Sequence, residues 1–147
     1  IVYFDFKKNE ICEISSDDFI FSYRSGFQMP NTLILYGKFK IKLGKKESIK
    51  ILMKEYENKR NLTQPQKVNC CGSIFKNPPN QNAWSLIKTA IDDNFYRGPI
   101  KLSLKHSNFF ENDPYIKADL INNFINDIQK KVLEKHNIIL ETELQII

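Results

Sequence analysis

The chain has 147 residues and a mass of 17.3 kDa, with 41% hydrophobic and 27% charged residues and a mean hydropathy of −0.42, the profile of one ordinary globular unit. Its longest apolar runs fall far short of the roughly 20 residues needed to cross a bilayer, and residues 1–6 have neither the basic lead nor the small-residue cleavage site of a signal peptide. The net charge of +5 is written almost wholly in lysine, 19 of 22 cationic residues, beside 20 Ile and 15 Asn, so it reads as AT-rich coding bias, and neither nucleic acid nor membrane is expected as a partner.

In chain order, residues 1–6 alternate apolar and polar, and Lys7-Lys8-Asn9-Glu10 turns them into Ile11–Ile14, which predicts a hairpin. Ser15 and Ser16 before Asp17-Asp18-Phe19 predict a capped helical piece leading into Phe21-Ser22-Tyr23-Arg24. Thr32–Leu43 predicts the longest strand, with Gly37 a weak point in it. From Lys46 to Arg60, Ile49, Leu52, Met53 and Tyr56 recur at helical spacing, which predicts a surface helix with one buried stripe. Asn61–Gly72, with Pro65, is the best boundary in the chain. A short helix is expected over Asn82–Ala90 with Trp84, Leu86 and Ile87 facing a core. A long one is expected over Lys117–Lys135 on Leu120, Ile121, Phe124, Ile125, Ile128 and Val132. Residues 138–147 then alternate as a final strand. With no regular βαβ repeat, the class is α+β.

Three residues carry a chemical signal. Arg24, one of only three arginines, offers a planar fork for a carboxylate, against the plainer reading of a stem packed on Tyr23. Ser73 follows Gly72 and precedes Ile74-Phe75, which would anchor a loop from which Lys76 and Asn77 offer donors to phosphate or sugar oxygens. Glu143 shares a strand face with Glu141 and Gln145, opposite Leu140, Thr142, Leu144 and Ile146. His106 and His136 have no partners of triad or metal type, and His106 reads as a packed, hydrogen-bonded residue. Cys12, Cys70 and Cys71 form no C-x-x-C pair, so no disulfide framework and no metal site is expected and a reducing cytoplasm is the natural compartment.

Taken together, Phe21-Ser22-Tyr23-Arg24-Ser25, Thr63-Gln64-Pro65, Gly72-Ser73-Ile74-Phe75-Lys76-Asn77-Pro78, Ala83-Trp84-Ser85-Leu86-Ile87, Ser103-x-Lys105-His106-x-Asn108-Phe109 and Leu140-Glu141-Thr142-Glu143 resemble, in order and spacing, the UDP-N-acetylenolpyruvoylglucosamine reductase (UDP-N-acetylmuramate dehydrogenase, MurB) family. The resemblance implies an oxidoreductase of peptidoglycan synthesis that uses FAD, reduced by NADPH, to convert UDP-N-acetylglucosamine enolpyruvate into UDP-N-acetylmuramate. By the same resemblance Ser73 is the proton donor, Arg24 and Glu143 are the other catalytic residues, and Lys76 and Asn77 meet the substrate.

The family's glycine-rich flavin loop has no counterpart in these residues, and the chain starts at Ile1 and not Met, so a missing upstream part is expected. The resemblance then divides the chain into the rear part of the second flavin subdomain (1–62), the α+β substrate domain (63–137) and a terminal strand (138–147) that returns to the absent first subdomain. Two expectations follow: the chain alone does not retain FAD, and residues 138–147 either associate with other chains or fray, with Glu143 displaced from Ser73 and Arg24. Thr63 stands where some relatives carry a substrate-contacting Lys. The rival readings are a UDP-sugar binding module without redox activity and a basic nucleic-acid-binding domain, the last distinguished by steep salt dependence.

Overall fold

A computed structural model of the chain describes all residues except 19–20, 27–28, 93–94 and 146–147, and the side chains of 96 and 97. Phe19 and Phe27 of the aromatic segment and Ile146 of the terminal one therefore lie outside the described residues. The chain divides into two compact units, Ile1–Lys46 and Glu47–Ile147.

The first unit is an antiparallel sheet of β1 (Val2–Asp5), β2 (Glu10–Glu13) and β3 (Thr32–Tyr36) in the order β2-β1-β3. The expected hairpin is present, with Tyr3 opposite Cys12. Its turn is held by Asp5, whose Oδ1 accepts the N–H groups of Lys7 (2.9 Å) and Lys8 (3.1 Å), while Asn9 takes the left-handed position at φ +56°. Ser15 caps the short 3₁₀ turn Ser16–Asp18, its Oγ accepting from Asp17 N–H at 3.3 Å.

Strand β3 stops at Tyr36 and does not run to Leu43. The ring of Phe39 folds back over Gly37, 3.3 Å from where a Cβ would stand, a close approach that glycine accepts without displacing the ring.

In the second unit, α1 (Lys46–Thr63) outruns its expected end. Thr63 Oγ1 donates to Lys59 O at 2.9 Å and Gln64 N–H to Arg60 O at 2.9 Å, closing the last turn. Its apolar stripe is not buried: no residue of α1 is, and Ile49 and Leu52 are 46% and 47% exposed. Helices α2 (Ala83–Ala90) and α3 (Ala118–His136) pack together, and α3 also lies on the sheet of β4 (Tyr96–Arg97), β5 (Ile100–Leu102) and β6 (Phe110–Asn112). Gly98-Pro99 makes the two-residue turn between β4 and β5, with Gly98 at φ +56°. The α3 stripe behaves as its spacing predicts. Phe124, Ile125, Ile128 and Val132 are buried, and Phe124 sits between the rings of Phe95 (5.3 Å) and Phe110 (6.3 Å). Asn137 ends α3 in the left-handed conformation, donating its N–H to Leu133 O at 2.8 Å.

The terminal residues depart most from expectation. The described ones, to residue 145, are paired within the chain: Thr142 bridges Phe75 in antiparallel sense, Glu141 O accepts Lys76 N–H at 2.8 Å, and Glu143 N–H donates to Ile74 O at 2.8 Å. Leu140 is fully buried in the core of this unit, its carbonyl accepting Gln129 Nε2 at 2.8 Å, and Leu144 packs against the same core. The physical reason is local. A lone strand must satisfy its backbone and cover its apolar face, and residues 74–76 with the α3 face do both.

Candidate functional site

Gly72, at φ +88° with open space around it, turns the chain into Ser73. The anchors are then driven inward, Ile74 and Phe75 being 0% and 1% exposed, which holds the half-buried Ser73 at the rim of a fixed segment. Ile74 N–H donates to Asn108 O at 2.9 Å. The side chain of Asn108 accepts Phe75 N–H through Oδ1 at 2.9 Å and donates Nδ2–H to Phe75 O at 2.8 Å. On the other edge Glu143 is hydrogen-bonded to Ile74, one residue from Ser73. Glu143 is half-buried, with Oε2 shielded from solvent, whereas Glu141 on the same expected face is exposed.

Lys76 forms an ion pair with Glu141, so its cation already has a carboxylate beside it. Asn77 uses Oδ1 to accept Ala83 N–H at 2.9 Å at the start of α2, which fixes the plane of its amide. Ser73, Lys76, Asn77 and Glu143 are thus one cluster. Arg24 belongs to the first unit. It fills the left-handed place (φ +55°) of a tight turn closed by reciprocal bonds of 3.1 Å between Ser22 and Ser25, a position that glycine or asparagine usually fills. Its guanidinium stands 5.5 Å over the Tyr23 ring, so the packing on Tyr23 read from the sequence is real.

A cleft of about 400 Å³ opens in the second unit among Thr63 and Gln64 at the end of α1, Trp84 and Lys88 on α2, and the loop Ser103–Ser107. Trp84 does not face the core: it is 43% exposed, its ring 6.4 Å from that of His106. Ser103, 3% exposed, lines this cleft with an Oγ that has no hydrogen-bond partner among the described residues. His106 stacks edge-on with Phe109 at 4.7 Å and accepts Asn108 N–H at Nδ1 (3.3 Å), so the neutral ring carries its proton on Nε2. Burial holds the His106 pKa below its ordinary value. Lys105 reaches the carbonyl of Asn61 at 3.0 Å, a cation at the α1 C-terminal turn. The cleft offers an aromatic wall, neutral donors and nearby cations, which suit a planar heteroaromatic ring that carries an anion.

Among the described residues no group of three or more His, Cys, Asp or Glu could hold a metal. The cysteines are free, and desolvation of its sulfur pushes the Cys71 thiol up to about 11 although the residue as a whole is exposed. A flavin dinucleotide needs consecutive N–H groups around its pyrophosphate. Among the described residues the positive-φ glycines are Gly72 and Gly98, standing singly in the Ser73 loop and the β4–β5 turn, so they do not fit that group.

The sequence named Trp84, His106 and Ser103 but did not read them as lining a site, although for Trp84 a signal existed. Ala83, Leu86, Ile87 and Ala90 already complete a buried stripe on α2. Trp84 and Lys88 are off it and one turn apart, on a second face.

Residues 64–147 match the family model described as UDP-N-acetylenolpyruvoylglucosamine reductase, C-terminal domain. The chain is similar to the proteins of that name from Limosilactobacillus fermentum (32% identical over 142 residues, 96% of this chain and 47% of the relative) and Limosilactobacillus reuteri (35% over 139 residues, 93% and 46%). The crystal structure of the UDP-N-acetylenolpyruvylglucosamine reductase from Thermus caldophilus superposes with a TM-score of 0.82 at 26% identity, covering 98% of this chain and 50% of that one. The chain therefore spans about half the length of the curated relatives it matches.

Proposed function

The chain belongs to the UDP-N-acetylenolpyruvoylglucosamine reductase family, and on that premise we propose that it is the substrate-side half of such an enzyme, acting in the cytoplasm on UDP-N-acetylglucosamine enolpyruvate. In this reading residues 1–62 complete the flavin domain, 63–137 bind substrate, and 138–147 return Glu143 to the site. FAD, reduced by NADPH, would supply the hydride from the half that this chain does not span.

The chemistry suits the residues present. Hydride addition to one carbon of the enolpyruvyl double bond builds negative charge on its neighbour and on the adjoining carboxylate. Arg24 and Glu143 are assigned to stabilise that charge by preorganised electrostatics. Serine is a weak acid, yet an enolate carbon is basic enough to take the proton from Ser73 Oγ. Lys76 and the donor end of Asn77 are assigned to the diphosphate, Lys76 sharing itself between that group and Glu141. The cleft at Trp84, His106 and Ser103 takes the uracil ring.

The observation that carries the proposal is the 2.8 Å bond from Glu143 N–H to Ile74 O, which pairs the backbone of Glu143 with the residue next to Ser73 from a segment 70 residues away in sequence. The test is a fusion of this chain behind the N-terminal half of the Limosilactobacillus fermentum relative. Oxidation of NADPH that depends on the enolpyruvyl substrate is the expected result. A second reading, a UDP-sugar binding module without redox activity, rests on the cleft at Trp84, His106 and Ser103, which can take a ring without a flavin. A flavin-loaded fusion that binds UDP sugars but oxidises no NADPH would establish it instead.

A further inference from the structure

We infer that Asn108 is the positioning residue of the site, its side-chain amide setting both the placement of Ser73 and the register of Glu143; this rests on the assignment of those two residues above. Asn108 is 3% exposed, and its amide takes both backbone groups of Phe75 on one edge, Oδ1 on the N–H and Nδ2 on the carbonyl at 2.9 and 2.8 Å. Its own carbonyl takes Ile74 N–H at 2.9 Å. On the opposite edge the terminal segment takes Ile74 O and Lys76 N–H. Residues 74–76 are therefore an inner strand with a chain segment on one edge and essentially a single residue on the other.

Burying the side chains of Ile74 and Phe75 fixes how deep the segment lies but resists sliding only weakly, because apolar contact is non-directional. The directional bonds set the register. Asp in place of Asn108 lacks the donor, and Leu leaves two buried backbone groups unsatisfied. The Asn108 N–H to His106 Nδ1 bond of 3.3 Å carries the same placement to the cleft.

The experiment uses the fusion described above with Asn108→Leu, alone and combined with Ser73→Ala. A misplaced donor lowers kcat by about 100-fold. The substrate KM stays within about threefold and flavin reduction by NADPH is unchanged. In the Ser73→Ala background the same substitution lowers kcat by clearly less than it does alone, because the part of its effect that acts through Ser73 is already lost and only the part through Glu143 remains. A folded Asn108→Leu fusion with the parent kcat overturns the inference, as does an undiminished further loss beside Ser73→Ala. Should the Leu variant not fold, Asn108→Asp, which keeps an acceptor for Phe75 N–H but loses the donor to Phe75 O and adds a carboxylate, is judged by the same criteria. On this chain alone Asn108→Asp speeds amide exchange at Glu143, and unchanged exchange there overturns the inference. An inactive parent fusion would sink the functional proposal separately.

Discussion

The amide of Glu143 donates to the carbonyl of Ile74 at 2.8 Å, so the end of the chain is an edge partner of the loop that carries Ser73. The pairing is intramolecular, which makes its protection independent of concentration. Amide exchange at Glu143 and Lys76 is expected to be slow and equal at two widely separated protein concentrations. Protection that grows with concentration would transfer the partner to another chain. The same segment gives a stability contrast: Leu140→Ala, at a fully buried position, costs about 2–5 kcal/mol. Ile139→Ala, at a position 77% exposed, costs about 0.5 kcal/mol or less. Urea unfolding of the two variants measures the difference.

In the proposed mechanism Ser73 gives up its proton only as charge develops on the substrate. In the active fusion Ser73→Ala is therefore expected to lower kcat severely while leaving the substrate KM nearly unchanged, since the contact is made in the transition state. Flavin reduction by NADPH, which precedes that proton transfer, stays fast. Turnover within about threefold of the parent, roughly 0.6 kcal/mol, would reduce Ser73 to a loop residue.

What the sequence made legible follows from length and period. Helix α3 shows its stripe over five turns and buries Phe124, Ile125, Ile128 and Val132 of it, with Leu120 and Ile121 half-buried in the first turn, and the hairpin of β1 and β2 declares itself by alternation and a four-residue turn. Strands β4 to β6 span only two or three residues each, too few for a period to register. Helix α1 teaches a different limit: periodicity says that Ile49, Leu52, Met53 and Tyr56 share a face, but not that anything covers it. In the site, Ser73 and Glu143 were legible through local residue chemistry and family resemblance, whereas the Asn108 bracket depends on residues 33 apart and has no local signature.

Trp84 is the only tryptophan in the chain, and it forms one wall of the cleft assigned to uracil. Adding UDP to the chain alone is expected to change its fluorescence saturably, and Lys88→Glu to weaken the response at low salt through lost attraction for the diphosphate. Calorimetry on Trp84→Ala checks the contact without the optical signal: stacking on an aromatic ring contributes about 1–3 kcal/mol per base. Unaltered affinity in that variant would move the base elsewhere.

His106 supplies a pH prediction whose sign follows from its surroundings. Burial depresses its folded-state pKa below the ordinary value of 6.5, and its Nδ1 is engaged as an acceptor from Asn108 N–H, a role that a proton there would abolish. Above about pH 6.5 the ring is neutral in both folded and unfolded chains, so the residue adds no pH dependence. As pH falls below that value the unfolded chain takes up the proton first, and stability is lost until the folded-state pKa is passed. A backbone hydrogen bond of the ring works against this downward shift, but burial outweighs it. Urea midpoints at pH 7.5 and 5.5 are therefore expected to fall further for the parent chain than for His106→Gln, which keeps an amide oxygen as acceptor and cannot titrate. Equal losses in the two proteins would place the acid sensitivity in the carboxylates and leave His106 without a role in it.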